Sequence, residues 1–118
     1  MRAKKKETPR IQSPWKKRGK ILAGVPEDLP ALSLAYQLTE KASRLGFDWP
    51  DLKGVLKKLD EEMTEFREAL SIQNQKKIRE EIGDLLFVWV NIARFLKIHP
   101  EEALRRPLKK FSSRFDYI

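Results

Sequence analysis

The chain has 118 residues, 41% hydrophobic and 36% charged, with 25 Lys/Arg against 17 Asp/Glu for a formal net charge of +8, one histidine and no cysteine. That length suits one domain. The lack of cysteine excludes disulfides, thiolate metal sites and a cysteine nucleophile and fits a reducing cytoplasm, and the lone histidine excludes a zinc site built from several imidazoles.

The positive charge is uneven. Residues 1–20 hold nine Lys/Arg and one acid, and the rest of the chain has as many acids as bases. The basic excess that phosphate-backbone binders carry therefore belongs to an amino-terminal segment and not to the folded part. This segment reads as a solvated, flexible leader, with a nucleic-acid arm as the alternative. The longest apolar run, Leu85 to Val90, is far shorter than the roughly 20 residues of a membrane helix.

A single domain is expected over residues 21–118. Pro30 is placed for a first helical turn, and Leu34, Leu38, Ala42 and Leu45 follow at helical spacing until Gly46 stops the run. Phe47-Asp48-Trp49-Pro50 connects to a second helix beginning near Pro50 or Asp51. That helix carries Leu52, Leu56, Leu59, Met63, Phe66 and Leu70 in alternating steps of four and three, a heptad seam. The polar stretch Ser71 to Gln75 interrupts it, and Ile78, Ile82, Leu85, Trp89, Ile92 and Leu96 repeat the alternation in a third helix. So short a turn makes the two helices antiparallel. Pro100 with Glu101 and Glu102 marks a fourth helix start, where the dipole favours acids, and this helix runs to about Phe115. No run supports a strand, so the expected class is all-α, a four-helix, bundle-like domain with a central antiparallel hairpin. His99, next to a helix-starting proline, is assigned a cap or surface place and no chemistry.

The second helix contains Glu61, Glu62 and Glu65, and the third contains Glu80, Glu81 and Asp84. Acids three residues apart share a helical face. In an antiparallel hairpin, residues whose numbers share a common sum lie at one height, and Glu62 with Asp84 gives the same sum as Glu65 with Glu81. The two carboxylate pairs are thus expected to face each other across a turn centred on Gln73. A solvated charged face would prefer opposite signs four apart, which Lys57 with Glu61 and Lys58 with Glu62 satisfy. Glu61 with Glu65 and Glu80 with Asp84 are instead like-charged, and four carboxylates at one level repel unless a cation joins them. An all-oxygen donor set suits Mg²⁺ or Mn²⁺, and neither helix carries the Glu-x-x-His of the carboxylate di-iron bundles. Gly83, costing about 1 kcal/mol relative to Ala inside a helix, suggests a close backbone approach. Lys58 and Lys77 precede the acids by one turn, and Lys110 and Arg114 share a face of the fourth helix. Cations of both kinds are what phosphoryl chemistry requires.

Gly24-Val25-Pro26, Leu29-Pro30-Ala31-Leu32, Gly46-Phe47-Asp48-Trp49, Glu61-Glu62-x-x-Glu65, Glu80-Glu81-Ile82-Gly83-Asp84, Asn91-x-Ala93-Arg94 and Lys110-Phe111-x-x-Arg114-Phe115 occur in this order. The pattern, from about residue 20 to 117, resembles the MazG nucleoside triphosphate pyrophosphohydrolases. The resemblance implies a dimeric all-α hydrolase that splits a nucleoside triphosphate into the monophosphate and pyrophosphate with Mg²⁺, clearing unwanted nucleotides. It implies that Glu62, Glu65, Glu81 and Asp84 bind metal and that Lys58, Lys77, Lys110 and Arg114 contact the nucleotide. Glu61 is the candidate for orienting or deprotonating the attacking water, with Glu80 as an alternative. Asn91 is placed to reach sugar or base, with helix packing as the other reading. A non-catalytic helical dimerisation module with a basic tail, and a related bundle acting on a phosphoribosyl nucleotide, are the competing functions.

Overall fold

The computed structural model describes residues 24–117, so the basic segment expected over residues 1–20 lies outside the described residues. Four α-helices follow in order: α1 (Ala31–Arg44), α2 (Leu52–Ser71), α3 (Gln75–Phe95) and α4 (Pro100–Arg114), with a 3₁₀ turn over Phe115–Tyr117. Among the described residues there is no strand, and no helix is long and apolar enough to cross a membrane.

Local chemistry sets the helix ends. Pro30 is the N-cap of α1. The Asp51 side chain accepts a hydrogen bond from the Gly54 N–H at 3.0 Å to start α2, and Asn74 accepts one from the Lys77 N–H at 3.1 Å to start α3. These caps satisfy donors that have no carbonyl partner in the first turn. α1 ends at Gly46, whose φ of +94° suits a glycine, with the Phe47 N–H bonded back to the Ala42 carbonyl at 2.9 Å. The same reversal ends α2 at Gln73 (φ +56°) and α3 at Lys97 (φ +62°).

Among the described residues α2 and α3 pair along more of their length than any other two helices, α1 lies on α3, and α4 touches α1, α3 and the 3₁₀ turn that follows it. The three-residue connection between α2 and α3 makes that pair antiparallel. Val55, Val88 and Ile92 form the buried apolar centre, packed by Trp49, Leu52, Leu59 and Phe95. Burying each such side chain contributes about 1.5–3 kcal/mol.

The heptad seams are only partly inside this core. Leu56 and Leu70 of α2, Ile82 and Trp89 of α3 and Leu96 at its C-cap are exposed, as is Leu86 beside them. Heptad spacing states that an apolar stripe is covered, not by which chain. Gly83 is exposed as well, and a Cβ there would meet nothing within 4 Å, so no close approach to it occurs among the described residues.

A second buried cluster ties α1 and the connector before α2 to α3. Arg94 reaches Asp48 with two hydrogen bonds, Nη1 to Oδ2 at 2.9 Å and Nη2 to Oδ1 at 2.8 Å. Its Nε donates to Thr39 Oγ1 at 3.1 Å and Nη2 also donates to Asn91 Oδ1 at 2.7 Å. Such a fork is the geometry in which guanidinium and carboxylate bind most strongly.

Candidate metal and phosphate site

The acids of the hairpin converge. Glu62 of α2 and Glu81 and Asp84 of α3 each offer a carboxylate oxygen, and these atoms all lie within 4.8 Å of one another. The helices place them there through register: Glu62 lies nine residues before the end of α2, Glu81 lies in the second turn of α3, and Asp84 follows one turn later. Glu62 and Glu81 are among the most deeply buried side chains of the protein, 1% and 0% exposed.

Like charges crowd the Glu81 carboxyl. Lys58 Nζ lies 3.0 Å from Glu62 Oε2, an ion pair with both side chains buried. Glu62 Oε1, also buried, has no hydrogen-bond donor among the described residues. Burial pushes the Glu81 carboxyl up to about 7, assisted by a hydrogen bond shared with Glu62 and by the charges of Glu62, Glu65 and Asp84. Bringing carboxylates together out of water costs several kcal/mol per ion unless cations compensate. Oxygen-only donors of this charge match a hard divalent cation, so the residues present fit a metal.

The remaining candidates are distributed around this centre. Glu65 is half-buried one turn after Glu62 and acts on Glu81 through its charge. Glu61 and Glu80 are exposed, and Lys77 is half-buried in the first turn of α3. Asn91 belongs to the other cluster: its Oδ1 accepts from Arg94 and its Nδ2 donates to the Phe87 carbonyl at 3.3 Å. Lys110 and Arg114 are exposed on α4, which makes no contact with α2 among the described residues. Sequence reasoning placed Asp48 and Arg94 in motifs without seeing that they pair. Forty-six positions separate them, and no helical period links the two.

The domain profile described as MazG nucleotide pyrophosphohydrolase matches residues 51–118 of this chain, which include α2, α3 and α4. The chain is 42% identical over 106 residues to a nucleoside triphosphate pyrophosphohydrolase/pyrophosphatase MazG of Thermotoga maritima, covering 90% of this chain and 40% of that protein. It is also 42% identical over 98 residues to a nucleoside triphosphate pyrophosphohydrolase of Escherichia coli K12, covering 80% of this chain and 36% of the relative. It thus spans well under half the length of either relative. With a family profile matched over more than half its length, the chain belongs to the MazG nucleotide pyrophosphohydrolase family.

Proposed function

We propose that the protein is a Mg²⁺-dependent nucleoside triphosphate pyrophosphohydrolase, with Mn²⁺ as a possible substitute, acting on the α–β phosphoanhydride bond of NTPs or dNTPs. The observation that carries this reading is the buried convergence of Glu62, Glu81 and Asp84 on the α2–α3 hairpin of a MazG-family chain. These three, with Glu65 beside them, would hold the metal. Bound there, a divalent cation neutralises phosphate oxygens and lowers the pKa of water.

The chain's own residues supply the rest. Lys58 holds Glu62 in place through their 3.0 Å pair. Glu61, exposed and adjacent to Glu62, is free of that pair and suits the task of orienting or deprotonating water attacking the α-phosphorus. Glu80 occupies the equivalent place on α3. Lys77, Lys110 and Arg114 carry the charge to steady triphosphate oxygens and the leaving pyrophosphate. Asn91 would fix Arg94 through its Oδ1, and its Nδ2, which donates once to the Phe87 carbonyl, keeps a second N–H for sugar or base.

The exposed apolar stripe of Leu56, Ile82, Leu86 and Trp89 supports a homodimer. A cysteine-free chain suits the cytoplasm, where the nucleotide pool is policed. The test is pyrophosphate release from a panel of canonical and modified triphosphates, with Mg²⁺ and with chelator. Release that requires Mg²⁺ is expected; no release from a folded chain overturns the enzyme reading in favour of a binding module.

A further inference from the structure

Three residues of α3 stand in one line. Lys77, Asp84 and Asn91 are seven apart, so they share a helical face and follow one another at about 10 Å along the axis. Among the described residues α1 and α2 both lie on α3 and make no contact with each other, which makes this face the floor between them. Asp84 meets Glu62 of α2 on one side of that floor. Asn91 is joined through Arg94 to Thr39 of α1 and to Asp48 on the other. A triphosphate whose metal sits at Asp84 has a cationic neighbour at Lys77, in the first turn of α3, where the helix dipole also favours negative charge. Its nucleoside then extends the other way, towards Asn91.

The hydrogen bonds at Asn91 have fixed directions. The Arg94 guanidinium only donates, so the atom it meets at 2.7 Å is Asn91 Oδ1, and the Phe87 carbonyl only accepts, so Nδ2 faces it at 3.3 Å. Arg94 is itself held. Asp48 takes two of its N–H groups in a fork, and Thr39 Oγ1, which donates to the Ala35 carbonyl at 2.9 Å, accepts from Nε. Every group from Asp48 to Asn91 is thereby oriented. The last donor of the series, the second N–H of Nδ2, meets no acceptor among the described residues, and Asn91 is only 6% exposed. A buried donor without an acceptor is costly to a fold, and a network that only ties helices together has no need of one.

We propose that Asp48 and Arg94 are positioning residues of a nucleoside subsite: they lock the Asn91 carboxamide so that it presents a donor to a hydrogen-bond acceptor on the base or sugar of the bound triphosphate. This rests on the reading of the acidic cluster as a triphosphate site. A carboxamide able to turn over would offer oxygen or N–H alike. The fork on Arg94 removes that choice, so a ligand with a donor at the same place is rejected.

Two probes that resist hydrolysis separate this from a purely structural tie. One is the α,β-imido analogue of a nucleoside triphosphate, and the other is inorganic imidotriphosphate, which lacks the nucleoside; each is titrated calorimetrically with Mg²⁺. Asn91→Ala should weaken nucleotide binding about 10-fold. Asp48→Asn, which breaks one arm of the fork and acts only through Arg94, should weaken it about threefold. Both variants should bind inorganic imidotriphosphate as the wild type does. Arg94→Lys, which keeps the charge and loses the fork, should follow Asp48→Asn and takes its place if that variant does not fold. In the 2′,3′-dideoxy form of the analogue the penalty of Asn91→Ala persists if the acceptor is on the base and vanishes if it is a sugar hydroxyl; either result supports the subsite. Equal loss of both probes would make the network structural only, and unchanged nucleotide affinity in the variants would overturn the subsite. In either case a wild type that binds both probes leaves the triphosphate reading standing. A folded wild type that binds neither rejects that reading, and the proposal with it.

Discussion

The Asp48–Arg94 cluster and the Glu62–Glu81–Asp84 cluster both take charged side chains out of water, and α3 contributes to each, yet their carboxylates titrate in opposite directions. At Asp48 burial pushes the pKa up, but hydrogen bonds from Arg94, Ser43 and the Trp49 N–H, with the Arg94 charge, outweigh it and leave the carboxyl below its usual value. At Glu81 burial pushes the same way, and the neighbouring carboxylates add to it, so the group rises to about 7. The first cluster is balanced from within the chain and fastens α1 and its connector to α3. The second gathers like charges, a pattern that functional sites share.

Breaking the balanced cluster should have the largest effect on stability. Arg94→Ala strips Asp48 of two of its hydrogen bonds and of its ion pair, takes the Arg94 donor from Asn91 Oδ1, and is expected to lose about 3–5 kcal/mol in urea unfolding. Arg94→Lys, unable to form the fork, should fall between. The unbalanced cluster should respond in reverse. Glu81→Gln in chelator is expected to unfold at higher urea, by about 1–2 kcal/mol, because a buried carboxyl crowded by the charges of Glu62, Glu65 and Asp84 is neutralised. The same variant should lose about 10²–10³-fold in pyrophosphate release. A strongly destabilised Glu81→Gln would instead place Glu81 with Asp48 as a structural group.

Smaller shifts sharpen the contrast. A divalent cation at about ten times its Kd should stabilise the wild type by about 1.4 kcal/mol, and Glu81→Gln not at all, as read from the urea midpoint. The pH dependence should differ in sign between the clusters. The raised carboxyl of Glu81 binds a proton more tightly in the folded state, so its contribution to stability falls as pH rises from the ordinary carboxylate range through about 7. The lowered carboxyl of Asp48 contributes stability above its unfolded value and loses it in acid. In chelator the urea midpoint should thus be highest at about pH 5 and decline towards alkaline pH, and added divalent cation should remove that decline.

Much of the site was legible from spacing. The shared sum of residue numbers puts Glu62 opposite Asp84 and Glu65 opposite Glu81, and the structure brings Glu62, Glu81 and Asp84 to within 4.8 Å. Prolines and glycines likewise marked helix ends near Pro30, Gly46 and Pro100. What periodicity does not encode is which partner covers a stripe. Leu56, Leu70, Ile82 and Trp89 have the spacing of core residues and are exposed, and of the actual centre at Val55, Val88 and Ile92 only Ile92 belongs to either seam. The Arg94 cluster was equally hidden, because two polar residues far apart in sequence carry no shared signal until the chain folds.

The central claim is that the buried acids of the hairpin exist to hold a divalent cation. Mn²⁺ binding, followed by loss of the free-ion paramagnetic resonance signal as protein is added near neutral pH, tests it most directly. The wild type should remove the signal, Glu81→Gln should leave it, and the wild type should release the ion as the pH is lowered below about 7, where protons compete for the carboxylates. A wild type that leaves Mn²⁺ free, or a Glu81→Gln variant that binds it equally well, would contradict the account.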